Sequence, residues 1–132
     1  MHRTWFSSPG ERTSASERRY VNVAGRMIIE QRIYTLKPGK TAVYLDLYRR
    51  EGLEVQTAHL GRLVGYYVSE FGDLNQIVHM WAYEDHSERE SRRSALFSDP
   101  RWIDVVSRLY EMIDRMENRI LMPTSFSPQL QL

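Results

Sequence analysis

The chain has 132 residues, enough for one ordinary hydrophobic core and too few for two. Eighteen Lys and Arg against 17 Asp and Glu leave a net charge of +1, which gives no electrostatic case for nucleic acid or an anionic membrane. The absence of Cys removes disulfides, thiolate metal sites and a Cys nucleophile, and no apolar run reaches the roughly 20 residues of a membrane span, so a soluble, cytoplasmic protein is expected.

Residues 1–26 mix Ser7, Ser8, Pro9, Gly10, Ser14 and Ser16 with arginines, lack apolar periodicity, and read as a flexible N-terminal extension. Glu11, Glu17 and the missing amphipathic stripe argue against a transit peptide. The folded domain is expected over residues 27–127, with a short tail at 128–132. Residues 28–36 are rich in β-formers and stop at Lys37-Pro38-Gly39, a strand and a turn. Residues 41–60 carry Tyr44, Leu47, Tyr48, Val55 and Ala58 as an imperfect stripe interrupted at Gly52, which predicts a bent helix. Strands follow at 63–71 and 76–83, joined by Gly72-Asp73-Leu74-Asn75 as an antiparallel hairpin. Asp85 or Ser87 caps the next helix, with Glu88 and Glu90 as capping-box partners. Asp99-Pro100 opens another, whose buried face is predicted from Trp102, Val106, Leu109, Ile113 and Met116. Residues 118–122 read as a last strand, ended by Pro123.

The order β-α-β-β-α-β, with the second helix split in two, is the α+β ferredoxin-like arrangement, a four-stranded sheet with helices on one side. Tyr34, Trp81 and Tyr83 alternate onto one side of their strands. That side is expected to be the one the helices leave open, covered by the sheet of a second copy in a homodimer.

Particular segments also carry a family likeness. They are Glu30, Arg32 and Tyr34 before Leu36-Lys37-Pro38-Gly39, then His59-Leu60-Gly61 with Gly65-Tyr66-Tyr67. Leu74-Asn75-Gln76 follows, leading to His79-Met80-Trp81-Ala82-Tyr83, and finally Arg89, Arg92, Arg93 and Leu96 before Asp99-Pro100-Arg101-Trp102. Over roughly residues 27–127 the chain resembles the NIPSNAP family of the dimeric α/β-barrel superfamily. The resemblance implies a ferredoxin-like protomer paired through its sheet to close a barrel, and a biochemical activity that is poorly defined.

Strand alternation places Glu30, Arg32 and Tyr34 on one face and Asn75, His79 and Tyr83 on one face of the third strand. With Val78, Met80 and Ala82 expected to pack on the helices, the polar set is expected to face the barrel interior between protomers. Arg32, Tyr34, Asn75 and Trp81 are the candidate ligand-binding residues, and His79, Glu30 and Tyr83 the candidate catalytic ones, although each has a simpler role in packing, capping or ion pairing. His2, His59, His79 and His86 lack metal-ligand spacing, and no phosphate loop, nucleophile elbow or cofactor motif is present, so no metal and no cofactor is expected. Three readings follow. The first is a homodimeric barrel that binds a small organic ligand. The second is a cofactor-independent isomerase or monooxygenase using His79 or Glu30 for proton transfer, and the third is a structural or protein-interaction dimer.

Overall fold

The β-rich run after Met27 forms β1 (Ile28–Leu36), whose buried side chains include Ile28, Glu30, Tyr34 and Leu36 at alternating positions. The computed structural model describes residues 27–128 and 130; the expected extension at 1–26 lies outside the described residues. After the turn, α1 (Thr41–Leu47) passes through a π-helical turn (Tyr48–Gly52) into α2 (Leu53–Leu60). The bend expected at Gly52 is therefore a widened turn inside a continuous helical segment. Close contact explains the glycine: a Cβ there would lie 2.9 Å from Tyr48 Cδ2 and 3.5 Å from Trp102 Cζ3. Gly52→Ala should cost about 1–3 kcal/mol by overpacking. Urea unfolding measures it, and an unchanged midpoint would remove the packing explanation.

Gly61 closes α2 with a positive φ of 85°, and the nearby His59 carbonyl is satisfied by Arg92 Nη1 at 3.0 Å. β2 (Arg62–Val68) ends earlier than expected because Ser69 starts the loop, its hydroxyl donating to the Asp73 carbonyl at 2.7 Å and accepting from Gln76 N at 3.2 Å. β3 (Gln76–Tyr83) follows. At α3 (His86–Leu96), the Asp85 carboxylate accepts from Glu88 N at 2.8 Å while the Glu88 carboxylate accepts from Glu84 N at 2.7 Å, a reciprocal cap. At α4 (Pro100–Tyr110), Asp99 accepts from Arg101 N at 2.9 Å and also pairs with His59 Nε2 at 2.9 Å, tying the end of α2 to the start of α4.

Trp102, Val106 and Leu109 do form the buried face of α4, with Val105 beside them. Ile113 and Met116 do not continue it. The chain turns at Glu111 and Met112, and both residues belong to β4 (Ile113–Leu121), with Met116 well exposed. Their helical spacing is overridden by hydrogen bonding to β1, which pairs Leu36 with Ile113 and Tyr34 with Met116.

The strands lie in the order β2-β3-β1-β4, each neighbouring pair antiparallel. With the helices on one side, this is the expected ferredoxin-like α+β fold. β1 and β3 are central and directly paired, Glu30 against Trp81, Arg32 against His79 and Tyr34 against Ile77. The expected choice of face is overturned. Tyr34, Ile77, His79, Trp81 and Tyr83 are buried in one core with Leu60, Leu96, Trp102 and Leu109 of the helices. The polar and aromatic set therefore lies inside the protomer, between sheet and helices, while Ile29, Ile33, Val78 and Met80 point to the open face. Ala82 shares that open face by register but is itself buried.

Candidate functional site

Glu30 is fully buried in the middle of β1, where an unmatched carboxylate would be too costly to keep. Arg89 of α3 donates to it from Nε and Nη2 at 3.2 and 2.8 Å, Arg32 Nη1 donates at 3.0 Å, and Asn118 Nδ2 of β4 donates at 3.0 Å. Burial alone would raise its pKa, but the bonds from Arg89 and Asn118 and the charge of Arg32 prevail and hold it at about 2. Arg93 also approaches, at 4.0 Å, so one carboxylate faces three guanidinium groups.

His79, opposite Arg32, is 1% exposed. The indole N–H of Trp81 donates to its Nδ1 at 2.8 Å. An indole nitrogen can only donate, so Nδ1 is unprotonated and the neutral ring carries its proton on Nε2. Burial first, and the charge of Arg32 next, pulls the pKa of His79 down to about 3, so the ring is neutral near pH 7. Nε2 has no hydrogen-bond partner among the described residues. The ring stacks on Tyr66 with centroids 4.8 Å apart, Tyr66 stacks in turn on Tyr48 at 4.8 Å, and Tyr34 meets His79 edge-on at 4.9 Å.

These rings close round a cavity of about 20 Å³ between the sheet and the helices, room for one water-sized group. Arg32, Tyr34, Tyr66 and His79 line it from the sheet, and Tyr48 and Arg93 from the helical side; among the described residues no carboxylate lines it. Burial raises the pKa values of Tyr44, Tyr48 and Tyr66, which keeps their hydroxyls protonated. Tyr48 donates to Gln56 Oε1, and Tyr44 and Tyr66 hydrogen-bond to each other. Among the described residues, no group of three or more His, Asp or Glu could hold a metal ion.

Residues 29–128 match the family model described as NIPSNAP. The chain belongs to the NIPSNAP family. A NIPSNAP family protein of known structure from Agrobacterium tumefaciens strain C58 is 47% identical, with a TM-score of 0.76 over 77% of this chain and 97% of its own. A second from the same strain is 41% identical, with a TM-score of 0.80 over 83% of this chain and 99% of its own. Protein NipSnap homolog 2 of Danio rerio is 36% identical over 104 residues, 79% of this chain and 36% of its own length. The chain thus spans about two-fifths or less of the curated relatives it matches.

In this NIPSNAP chain the site residues expected from the sequence divide into three groups. Arg32, Tyr34 and His79 do meet at the cavity, and Trp81 stands behind His79 as its hydrogen-bond donor. Glu30 lies beside them as the hub that holds the arginines. Tyr83 and Asn75 are elsewhere. Tyr83 is fully buried off the cavity wall, with burial and then the Glu30 charge pushing its pKa up to about 12. Asn75 precedes β3 in a left-handed conformation at φ 61°, with its carbonyl accepting from Leu36 N at 2.8 Å. Sequence reasoning did not select Tyr48, Gln56, Tyr66, Arg89 or Arg93 as site residues. The four-residue spacing of Tyr44 and Tyr48 was the available signal; Tyr66 reaches the face of His79 only through the register shift between Leu63 and Gly65, which alternation does not reveal.

Proposed function

We propose that this NIPSNAP chain is a homodimeric α/β-barrel protein, working in the cytoplasm, that binds a small organic molecule whose polar end enters the cavity between its sheet and its helices. One observation carries the reading: His79 is buried and locked in a single tautomer by Trp81, yet its second nitrogen is left unbonded at a polar cavity. Buried donors are nearly always satisfied, and an exception beside a cavity is what a ligand would complete. The π-helical turn that delivers Tyr48 to the cavity adds support, because such turns are frequent at functional sites. Arg32, Tyr34 and His79 are the proposed contacts, with Trp81 positioning His79.

The same contacts weaken the proton-transfer alternative. His79 Nδ1 is occupied by Trp81, its Nε2 already bears a proton, and Glu30 is held acidic by its arginines, so neither is a competent base near neutral pH. A thermal-shift screen of small aromatic and carbonyl compounds tests the reading. Compounds should raise Tm, and the rise should vanish in His79→Phe, which fills the site. A purely structural dimer would show no stabilisation by any compound.

The dimer is proposed to form through the open sheet face. Ile33 and Val78 are direct neighbours there, with Ile29 and Met80 alongside and Gln31, Thr35, Arg115, Glu117 and Arg119 around them. An apolar centre with a polar rim suits pairing with a second copy. Ile33→Asp should turn the dimer into a monomer at micromolar concentration in sedimentation velocity while leaving the circular dichroism unchanged. A native chain that sediments as a monomer would defeat the proposal.

A further inference from the structure

Besides the buried indole N–H of Trp102, three hydrogen-bond donors on the cavity wall lack an acceptor among the described residues. His79 presents its Nε2–H. The Tyr34 oxygen is taken by Arg32 Nε at 2.7 Å, which leaves the hydroxyl proton uncommitted. Arg93 lines the same cavity, but its charged partner Glu30 is 4.0 Å away and already receives four hydrogen bonds, two from Arg89 and one each from Arg32 and Asn118. Beyond that, the Arg93 guanidinium lies 5.4 Å from the Phe97 ring centroid. Among the described residues the wall carries two cations, Arg32 and Arg93, and no carboxylate.

We infer that the cavity seats one oxygen of the carboxylate of a small organic acid, which accepts from His79 Nε2–H and Tyr34 O–H while Arg93 balances the charge. The inference rests on the reading of the cavity as a ligand site and names the ligand's class. A wall that turns these donors and two guanidinium groups inward, with no carboxylate among its described residues, discriminates by charge and by hydrogen-bond sense. A carboxylate offers acceptors alone, and charge-assisted bonds to it are roughly twice as strong as neutral ones. An amide of the same shape would turn an N–H towards one of the three donors and leave Arg93 unbalanced, which is the larger cost beside buried groups such as His79 and Tyr34. Size fits as well. About 20 Å³ accepts a carboxylate oxygen, and the organic part then extends past Phe97 and Tyr110, which are 39% and 42% exposed and so mark the mouth.

The test uses two matched pairs of probes, benzoate with benzamide and phenylacetate with phenylacetamide. Each is titrated into the full chain carrying isotope-labelled histidine, and the Nε2–H resonance of His79 is followed by NMR. The acids should move that resonance saturably and bind at least about tenfold more tightly than their amides, and Arg93→Gln should remove roughly that advantage. Arg93 is partly exposed and makes no hydrogen bond to Glu30, so the variant should fold; Tyr34→Phe, which keeps the ring, is the second variant and should weaken the acids and spare the amides. Amides that bind as well as acids would overturn the carboxylate inference and leave the ligand site standing. Failure of all four probes to move His79 would overturn both, and binding of the acids with His79 unmoved would overturn the carboxylate inference by placing them elsewhere.

Discussion

Glu30→Gln should cost about 3–5 kcal/mol of stability, the range seen when one partner of a buried ion network is removed. The carboxylate is fully buried and holds Arg32, Arg89 and Arg93 together. Glutamine preserves the shape but removes the charge, and its amide nitrogen must face guanidinium or Asn118 donors where an oxygen used to accept. A small domain has roughly 5–15 kcal/mol in hand, so the variant should unfold at much lower urea. Arg89→Met on the Glu30→Gln background should restore part of the loss, because Arg89 makes two of the bonds and its removal relieves the unbalanced charge. A double-mutant cycle by urea denaturation measures this. Additive losses would mean that Glu30 and Arg89 do not act as one unit.

That network also explains which parts of the fold were legible in the sequence. Period-two alternation correctly grouped Glu30, Arg32 and Tyr34, and His79 with Trp81 and Tyr83, because strand geometry alone fixes which side chains share a face. It could not say which face meets the helices. Each strand offers apolar residues on both sides, Ile29 and Ile33 against Ile28 and Tyr34, and Val78 and Met80 against Ile77 and Trp81. Hydrophobicity favoured the wrong side, since it treats Glu30, Arg32 and His79 as costs. The structure reverses this through a partner far along the chain: Arg89 lies 59 positions from Glu30 and is delivered by the helix that Asp85 caps. A charge matched at that separation is invisible to local patterning, and so is the gathering of Tyr48, Tyr66 and Arg93 from three different elements. The caps at Asp85 and Asp99 and the break at Gly52 were legible because their causes lie within a few residues of the effect.

His79 should make stability fall with acid well before the carboxylates do. Its folded pKa of about 3 lies below the ordinary value of 6.5, so between those limits the unfolded chain binds a proton that the folded chain refuses. Stability therefore drops as pH falls from 6.5 towards 3, by up to about 1.4 kcal/mol for each pH unit and roughly 3 kcal/mol by pH 4.5. Glu30 acts in the same direction but later, since its folded pKa of about 2 lies below 4.5 and its contribution is lost only as pH falls from 4.5 towards 2. The window from pH 6.5 to 4.5 thus isolates His79. In His79→Gln the slope over that window should flatten while the decline below pH 4.5 remains; His2, His59 and His86 are present in both proteins and cancel in the comparison. The offset between the two proteins at pH 7 reports what the imidazole ring contributes by packing and as the acceptor for Trp81, whereas the slope reports protonation alone. Urea unfolding at closely spaced pH values measures both. Parallel curves for the two proteins from pH 6.5 to 4.5 would mean that His79 accepts a proton inside the fold, and with that the fixed tautomer and the acceptor role of Nδ1 toward Trp81 would both be lost.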